Sequence, residues 1–400
     1  MVLKLAKYTL FRAIPVNCMW EYHIPVTNAV RHTIQSVQVL RALGIFVIIG
    51  AHISIAVAYG DPTLMLSVPK WAVMLVANAS DGMLDLFFVG SGFIMVYIAK
   101  DTFGQKGAAK KFALLRITRV VPVYWLYTSL AILMGWMIGN VAGFQEPSWA
   151  ASLKSYFFIP YASDNMPALF GGVQEWVRPV LPAGWTLNFE MYFYALFMIA
   201  LLWRLEAGLV LMTVYALAVS AATPFIPAEY VALRFWASGT ILKFVTGCWI
   251  GYAYWRGVQY KGGPVGVLGV CLLAFLAHWC VYAAFLERPD AFLFHLLSSV
   301  TSGLMIACCV LTKFIETNNA PPQLVELGNA TYSIYLSHIF IYVPVFGIMD
   351  AIFEMTLGQR IFVGFGAFGL ALGLGMLSYW YIELPSIAIA RAGLKKLKLL

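Results

Sequence analysis

Ten apolar runs, each about the length that crosses a bilayer, follow one another from residue 39 to residue 383. They lie near 39–59, 83–100, 119–139, 186–203, 207–224, 238–256, 264–286, 294–312, 328–348 and 361–383. A hydrocarbon core ~30 Å thick is crossed by ~20 residues of helix. Lipid offers the backbone no hydrogen-bond partners, so runs of this kind fold as helices. The 400-residue chain is 62% hydrophobic and 11% charged, with mean hydropathy +0.81. No water-soluble core hides that much apolar surface. The sequence predicts an all-α polytopic membrane protein of about ten transmembrane helices.

An even count puts both termini on one side, and the basic residues say which. With the termini cytoplasmic, 19 of the 26 lysines and arginines fall on that side, as the positive-inside rule requires. The net charge of +8 has the same origin and does not argue for nucleic acid. The expected organisation is a cytoplasmic or interfacial extension over 1–35, one membrane domain over 36–385 and a basic cytoplasmic tail over 386–400. The opening residues carry Lys4, Lys7 and Arg12 around a short apolar stretch broken by Pro15 and Asn17, which does not read as a signal peptide. The six cysteines have no CxxC spacing, so neither a disulfide framework nor a metal site is expected. Residues 140–185 hold five prolines and the pair Gly171-Gly172. They exclude a further span and leave an extracytoplasmic loop, a lid or a passive connector.

Ionisable groups inside such helices are costly and default to function. In the first run Arg41 and His52 are separated by ten residues, which at ~100° per residue returns both to one face, roughly 16 Å apart. With Arg41 at the cytoplasmic edge, His52 falls near mid-membrane. His338 reaches a similar depth in the ninth run. Asp85 and Glu190 fall just inside the extracytoplasmic ends of the second and fourth. These four are expected to line one cavity, although a carboxylate capping its own helix start accounts equally well for Asp85 or Glu190. Gly90 and Gly92 flank Ser91 and permit close approach of a helix or a ligand, helix packing being the commoner use. On the cytoplasmic side Lys110 and Lys111 precede Arg116 and Arg119. The last two stand three apart on one helix face and suit a pyrophosphate-bearing ligand, with Arg41 at similar depth. Anchoring to lipid phosphates is the more general use of such a segment.

These residues carry a resemblance. Arg41 with ten residues before His52, Phe87-Phe88-Val-Gly-Ser-Gly-Phe93, Arg116-x-x-Arg119-x-x-Pro122-x-Tyr124-Trp125, Trp185-Thr-Leu-Asn-Phe-Glu190-Met, Tyr332-Ser-Ile-Tyr-Leu-Ser-His338 and Glu383-Leu-Pro385 occur in this order. From Ser36 to Pro385 the chain resembles the acyltransferase 3 family of integral membrane O-acyltransferases. It looks most like exopolysaccharide acetyltransferases of the succinoglycan-modifying type. The resemblance implies acetyl-CoA or another acyl-CoA as co-substrate, no permanently bound cofactor, and an exopolysaccharide or lipid-linked glycan as acceptor. It makes His52 the catalytic histidine, Arg41 its motif partner, and Arg116 and Arg119 a donor-handling pair. It also implies the inner (cytoplasmic) membrane, with lipids and the polysaccharide assembly machinery as partners.

Acyl transfer to a hydroxyl needs a base and donors for the developing oxyanion. His52 is the expected base, with Asp85 or Glu190 orienting it or the sugar. Ser91, Asn188 and His338 supply polar contacts, and Lys110 and Lys111 stand beside the donor pair. A covalent acyl-enzyme and direct transfer are both open. The rival from another class is a glycan transporter or flippase, whose polar path the same histidines and carboxylates would line. Ordered motifs favour the enzyme, as does the want of an evident internal repeat.

Overall fold

The computed structural model describes residues 28–59, 70–137, 139, 146–162, 179–261, 263–285, 291–312, 320–397 and 399. The proposed extension over 1–35 lies mostly outside them, as do Cys18 and much of the 140–185 loop. Fifteen α-helices form among the described residues. They are α1 (Asn28–Tyr59), α2 (Lys70–Ala99), α3 (Ala108–Met137), α4 (Trp149–Tyr156), α5 (Trp185–Ala200), α6 (Leu205–Ala222), α7 (Val231–Ala237) and α8 (Ile241–Trp255). They continue with α9 (Pro264–Ala284), α10 (Phe292–Val310), α11 (Pro322–Asn329), α12 (Thr331–Ser337), α13 (Ile339–Ile352), α14 (Leu357–Ser378) and α15 (Leu384–Lys396). The described residues contain no strand, only isolated bridge positions such as the pair Tyr260 and Thr312.

The protein is an all-α polytopic membrane protein. Eight helical stretches are long and apolar enough to cross a bilayer, and each falls on one of the ten expected runs. The other two runs are helices α5 and α8, of 16 and 15 residues. At 1.5 Å per residue these reach only about 23 Å, short of a ~30 Å core. Two of the long stretches are compound. α12 and α13 meet at His338, where Ile341 N–H bonds the His338 carbonyl at 3.0 Å in a tightened turn. α14 and α15 are joined by a π turn, Tyr379–Glu383, closed by the Leu384 N–H on the Tyr379 carbonyl five residues back. Pro385 lacks the N–H that an α-helix would use here, and the wider turn absorbs the mismatch.

Two helices in lipid gain nothing from the hydrophobic effect, so close approach has to hold them. α2 is the hub, packed on α1, α8 and α10. Its crossing with α8 is glycine against backbone. A β-carbon at Gly92 would overlap the Phe244 carbonyl, and one at Gly247 would overlap that of Val89. Gly90 meets nothing within 4 Å, so the two glycines around Ser91 divide the two uses read from the sequence. Gly92 packs a helix, and Gly90 faces a cavity.

The described part of the 140–185 loop is docked on the second half of α3. Tyr124 OH donates to the Ser155 carbonyl at 3.0 Å, and Trp125 Nε1 to that of Tyr156 at 2.9 Å. Returning residue Leu181 is fully buried, and a turn at Pro182–Gly184 starts α5 inside the protein.

The α2–α8 crossing yields a test by thermal unfolding in detergent. Gly247→Val should cost about 1–3 kcal/mol, the usual range for overpacking, and lower the Tm by several degrees. Gly269→Ala, at a position with open space around it, should not. Equal Tm values for the two variants would refute the contact.

Candidate active site

α1, α2, α3, α5, α12 and the π turn enclose an elongated cavity of about 250 Å³. Gln38 and Arg41 enter from one face of α1, and Arg41 Nη1 donates to Gln38 Oε1 at 3.3 Å. Arg116 and Arg119, one turn apart on α3, enter from another side. The Arg116 guanidinium lies over the rings of Phe112 (5.5 Å) and Tyr194 (5.8 Å), the flat contact this group favours. Its Nε is buried without a hydrogen-bond partner. Two carboxylates share the cavity. Glu190 accepts from the Tyr194 hydroxyl, and Glu383 Oε2 accepts from Ser333 Oγ at 2.6 Å. Arg41 and Arg119 repel each other, and both are attracted to Glu190 and Glu383. Among the described residues no ion pair closes between these arginines and carboxylates. The arrangement is a cationic cradle with donor capacity in hand, suited to a phosphate-bearing ligand.

Along α2 the lining runs from Met95 to Leu84, roughly 16 Å, and passes from Ser91 to Phe88 and Phe87. Tyr335 lines the cavity, and its ring lies 5.7 Å from that of His338. His338 is 1% exposed. Its Nδ1 is 2.7 Å from the Tyr335 carbonyl oxygen, and its Nε2 is 3.0 Å from Nδ1 of His52. The two imidazoles are within 11° of parallel, with centroids 5.2 Å apart. Tyr335, His338 and Tyr342, spaced three and four apart, form one stripe of rings, of which His338 and Tyr342 meet His52 of α1. His52 keeps part of its surface accessible. It stands 17 residues beyond Gln35 and six before Ala58, the limits of the apolar span of α1, and so lies past the middle of that span.

The structure thus brings His52 and His338 together, and separately Arg41, Arg116, Arg119, Glu190 and Ser91. The expectation that His52, His338, Asp85 and Glu190 line one cavity is corrected. Glu190 faces the arginines because α5 begins from a buried turn, which carries its sixth residue deep into the protein. Asp85 belongs elsewhere. α2 begins at Lys70, so Asp85 lies fifteen residues inside it; helix-start capping is excluded for Asp85, and for Glu190 beyond the first turn of α5. Lys110 and Lys111 are exposed and do not line the cavity. Asn188 is buried outside it, both amide atoms without a hydrogen-bond partner. Glu383 and Tyr194 were not singled out by sequence reasoning. The Glu383-Leu-Pro385 motif was the available signal, but a straight helical wheel does not foresee the π turn that aims the carboxylate.

Asp85 anchors a second buried cluster. Lys243 Nζ is 2.5 Å from Asp85 Oδ1, Tyr282 OH donates to Oδ2 at 3.0 Å, and His278 Nε2 lies 3.9 Å from Oδ2. Both charged side chains are 4% exposed. The cluster ties α2, α8 and α9 together. Lys243, a lysine inside an apolar run, was the sequence signal for it. Among the described residues no group of three or more histidines, cysteines or acids gathers as a metal site.

Removing one partner of such a pair leaves the other charged and buried, at a cost of roughly 3–5 kcal/mol. Lys243→Ala should therefore lower the Tm in detergent sharply, and the double variant Lys243→Met with Asp85→Asn should recover much of the loss. A Lys243→Ala protein as stable as the parent would refute the pairing.

The polytopic bundle holds a cationic cavity that Tyr335 lines, and the Tyr335 ring lies against the histidine pair; comparison with known proteins places the chain among the acyltransferases. The chain is a member of the acyltransferase 3 family, whose model, described as an acyltransferase domain, matches residues 34–380. It is 33% identical over 270 residues to the exopolysaccharide production protein ExoZ of Rhizobium meliloti (strain 1021), a match covering 64% of this chain and 75% of that protein. No solved structure matches the chain.

Proposed function

We propose that the protein transfers an acetyl group, or a short acyl group of the same kind, from acyl-CoA to a hydroxyl of an exopolysaccharide or its lipid-linked precursor. The observation that carries this reading is the convergence of Arg41, Arg116 and Arg119 on a cavity that reaches Tyr335, the ring stacked on the partner of His52. Guanidinium forks match phosphate oxygens in geometry and charge, and the phosphates of CoA supply them. The apolar stretch beyond, at Phe87 and Phe88, suits a thin uncharged arm carrying the thioester. The name of the Rhizobium relative supports an exopolysaccharide acceptor. The basic residues support cytoplasmic termini and entry of the donor from the cytosol, in the inner membrane of the cell.

In this mechanism the acceptor hydroxyl gives its proton to His52 as its oxygen attacks the thioester carbonyl. The tetrahedral intermediate expels the CoA sulfur, which takes that proton and leaves as the free thiol. Glu190 and Glu383 offset the mutual repulsion of the arginines without closing on them, Glu383 steadied by Ser333 and Glu190 by Tyr194.

The assay is label transfer from radiolabelled acetyl-CoA to candidate glycans by purified protein. His52→Ala should abolish transfer while leaving acetyl-CoA affinity within about threefold. Arg116→Ala with Arg119→Ala should weaken that affinity at least tenfold, in keeping with about 1.5–3 kcal/mol per hydrogen bond to a charged group. Full transfer by the His52 variant would overturn the base assignment, and unchanged affinity in the double arginine variant would return that pair to lipid anchoring.

A further inference from the structure

We infer that His338 is a positioning residue that fixes which nitrogen of His52 carries the proton, and so makes Nε2 of His52 the basic atom. The inference rests on the acyl-transfer reading for its purpose, but the chain of hydrogen bonds stands by itself. A backbone carbonyl only accepts. His338 Nδ1, 2.7 Å from the Tyr335 carbonyl oxygen, therefore carries a hydrogen. The ring is 1% exposed, and its polar partners among the described residues are the backbone carbonyls of Tyr335 and Ile334 and another imidazole, none of which balances a charge. A neutral ring follows, with its lone pair on Nε2. That lone pair meets His52 Nδ1 at 3.0 Å, so His52 is the donor there and holds its hydrogen on Nδ1. In neutral His52 the remaining lone pair is on Nε2. The near-parallel rings at 5.2 Å place donor and acceptor side by side in almost one plane, the geometry of an in-line N–H···N bond.

The arrangement parallels a catalytic triad with an imidazole in the place of the carboxylate. When His52 Nε2 takes the acceptor proton, the Nδ1–H bond to His338 becomes charge-assisted and strengthens as the cation forms. His338 itself stays neutral throughout, held by the Tyr335 carbonyl and flanked by the rings of Tyr335 and Tyr342, each 5.7 Å away. The break between α12 and α13 falls at this residue.

The test combines two variants with a direct reading of the ring. His338→Gln retains an acceptor oxygen near the Nε2 position, and His338→Phe retains a flat ring with no acceptor. Histidine-15N NMR of the full-length protein in lipid nanodiscs, with the His52 signals assigned by their loss in His52→Gln, reads the tautomer without substrate. The wild type should show His52 protonated on Nδ1 at neutral pH. His338→Gln should keep that tautomer and most of kcat, whereas His338→Phe should lose the tautomer preference and roughly 100-fold in kcat, with KM for acetyl-CoA little changed. Wild-type His52 protonated on Nε2 would overturn the inference, as would a His338→Phe protein that keeps both tautomer and kcat. The two readings fail separately. The His52→Ala assay bears on acyl transfer, and the ring tautomer bears on His338.

Discussion

Charge inside an apolar helical bundle has to be answered by the protein, because lipid cannot answer it. Among the described residues, two of the buried charged systems that follow from that constraint are solved in opposite ways. Asp85 and Lys243 are closed on one another at 2.5 Å, with Tyr282 completing the carboxylate, and the cluster holds α2, α8 and α9 in place. Arg41, Arg116 and Arg119 are gathered with Glu190 and Glu383 but left open around a cavity. A closed pair is a structural joint. An open cradle holding more positive charge than negative is arranged for a ligand that brings negative charge of its own.

Packing and chemistry share the same helices. α2 presses Gly92 against α8 and turns Gly90 and Ser91 to the cavity, so one turn of helix both sets the spacing of the bundle and forms the wall of the site. The stripe Tyr335, His338, Tyr342 likewise continues the cavity wall into the histidine pair. The arginines thereby stand at the Gln38–Arg41 level of α1 and His52 some three turns further along the same helix, the two levels that the proposed reading gives to donor binding and proton transfer.

Much of this was legible in the sequence, for identifiable reasons. The apolar runs announced the helices because membrane thickness sets their length. Arginines three apart on a helix face could be read as a pair, and the shared depth of Arg41 drew it to them. The depths of His52 and His338 made them neighbours in expectation, and they are bonded. The failures are equally specific. Asp85 looked like a helix-start residue because polar Asn78, Ser80 and Asp81 interrupt the apolar run before it, whereas α2 continues through them from Lys70. Glu190 looked shallow because nothing in its local sequence reveals that α5 starts from a buried turn. Glu383 depends on a π turn, a register change that a uniform 100° rotation does not contain.

The most direct measurement is an experimental structure of the protein in nanodiscs with a non-hydrolysable acyl-CoA analogue. The account predicts the CoA phosphates within hydrogen-bond distance of Arg116 and Arg119, and the acyl end past Phe88 and Tyr335, directed at His52. An analogue bound elsewhere on the protein, with the arginines engaged only by lipid headgroups, would contradict it.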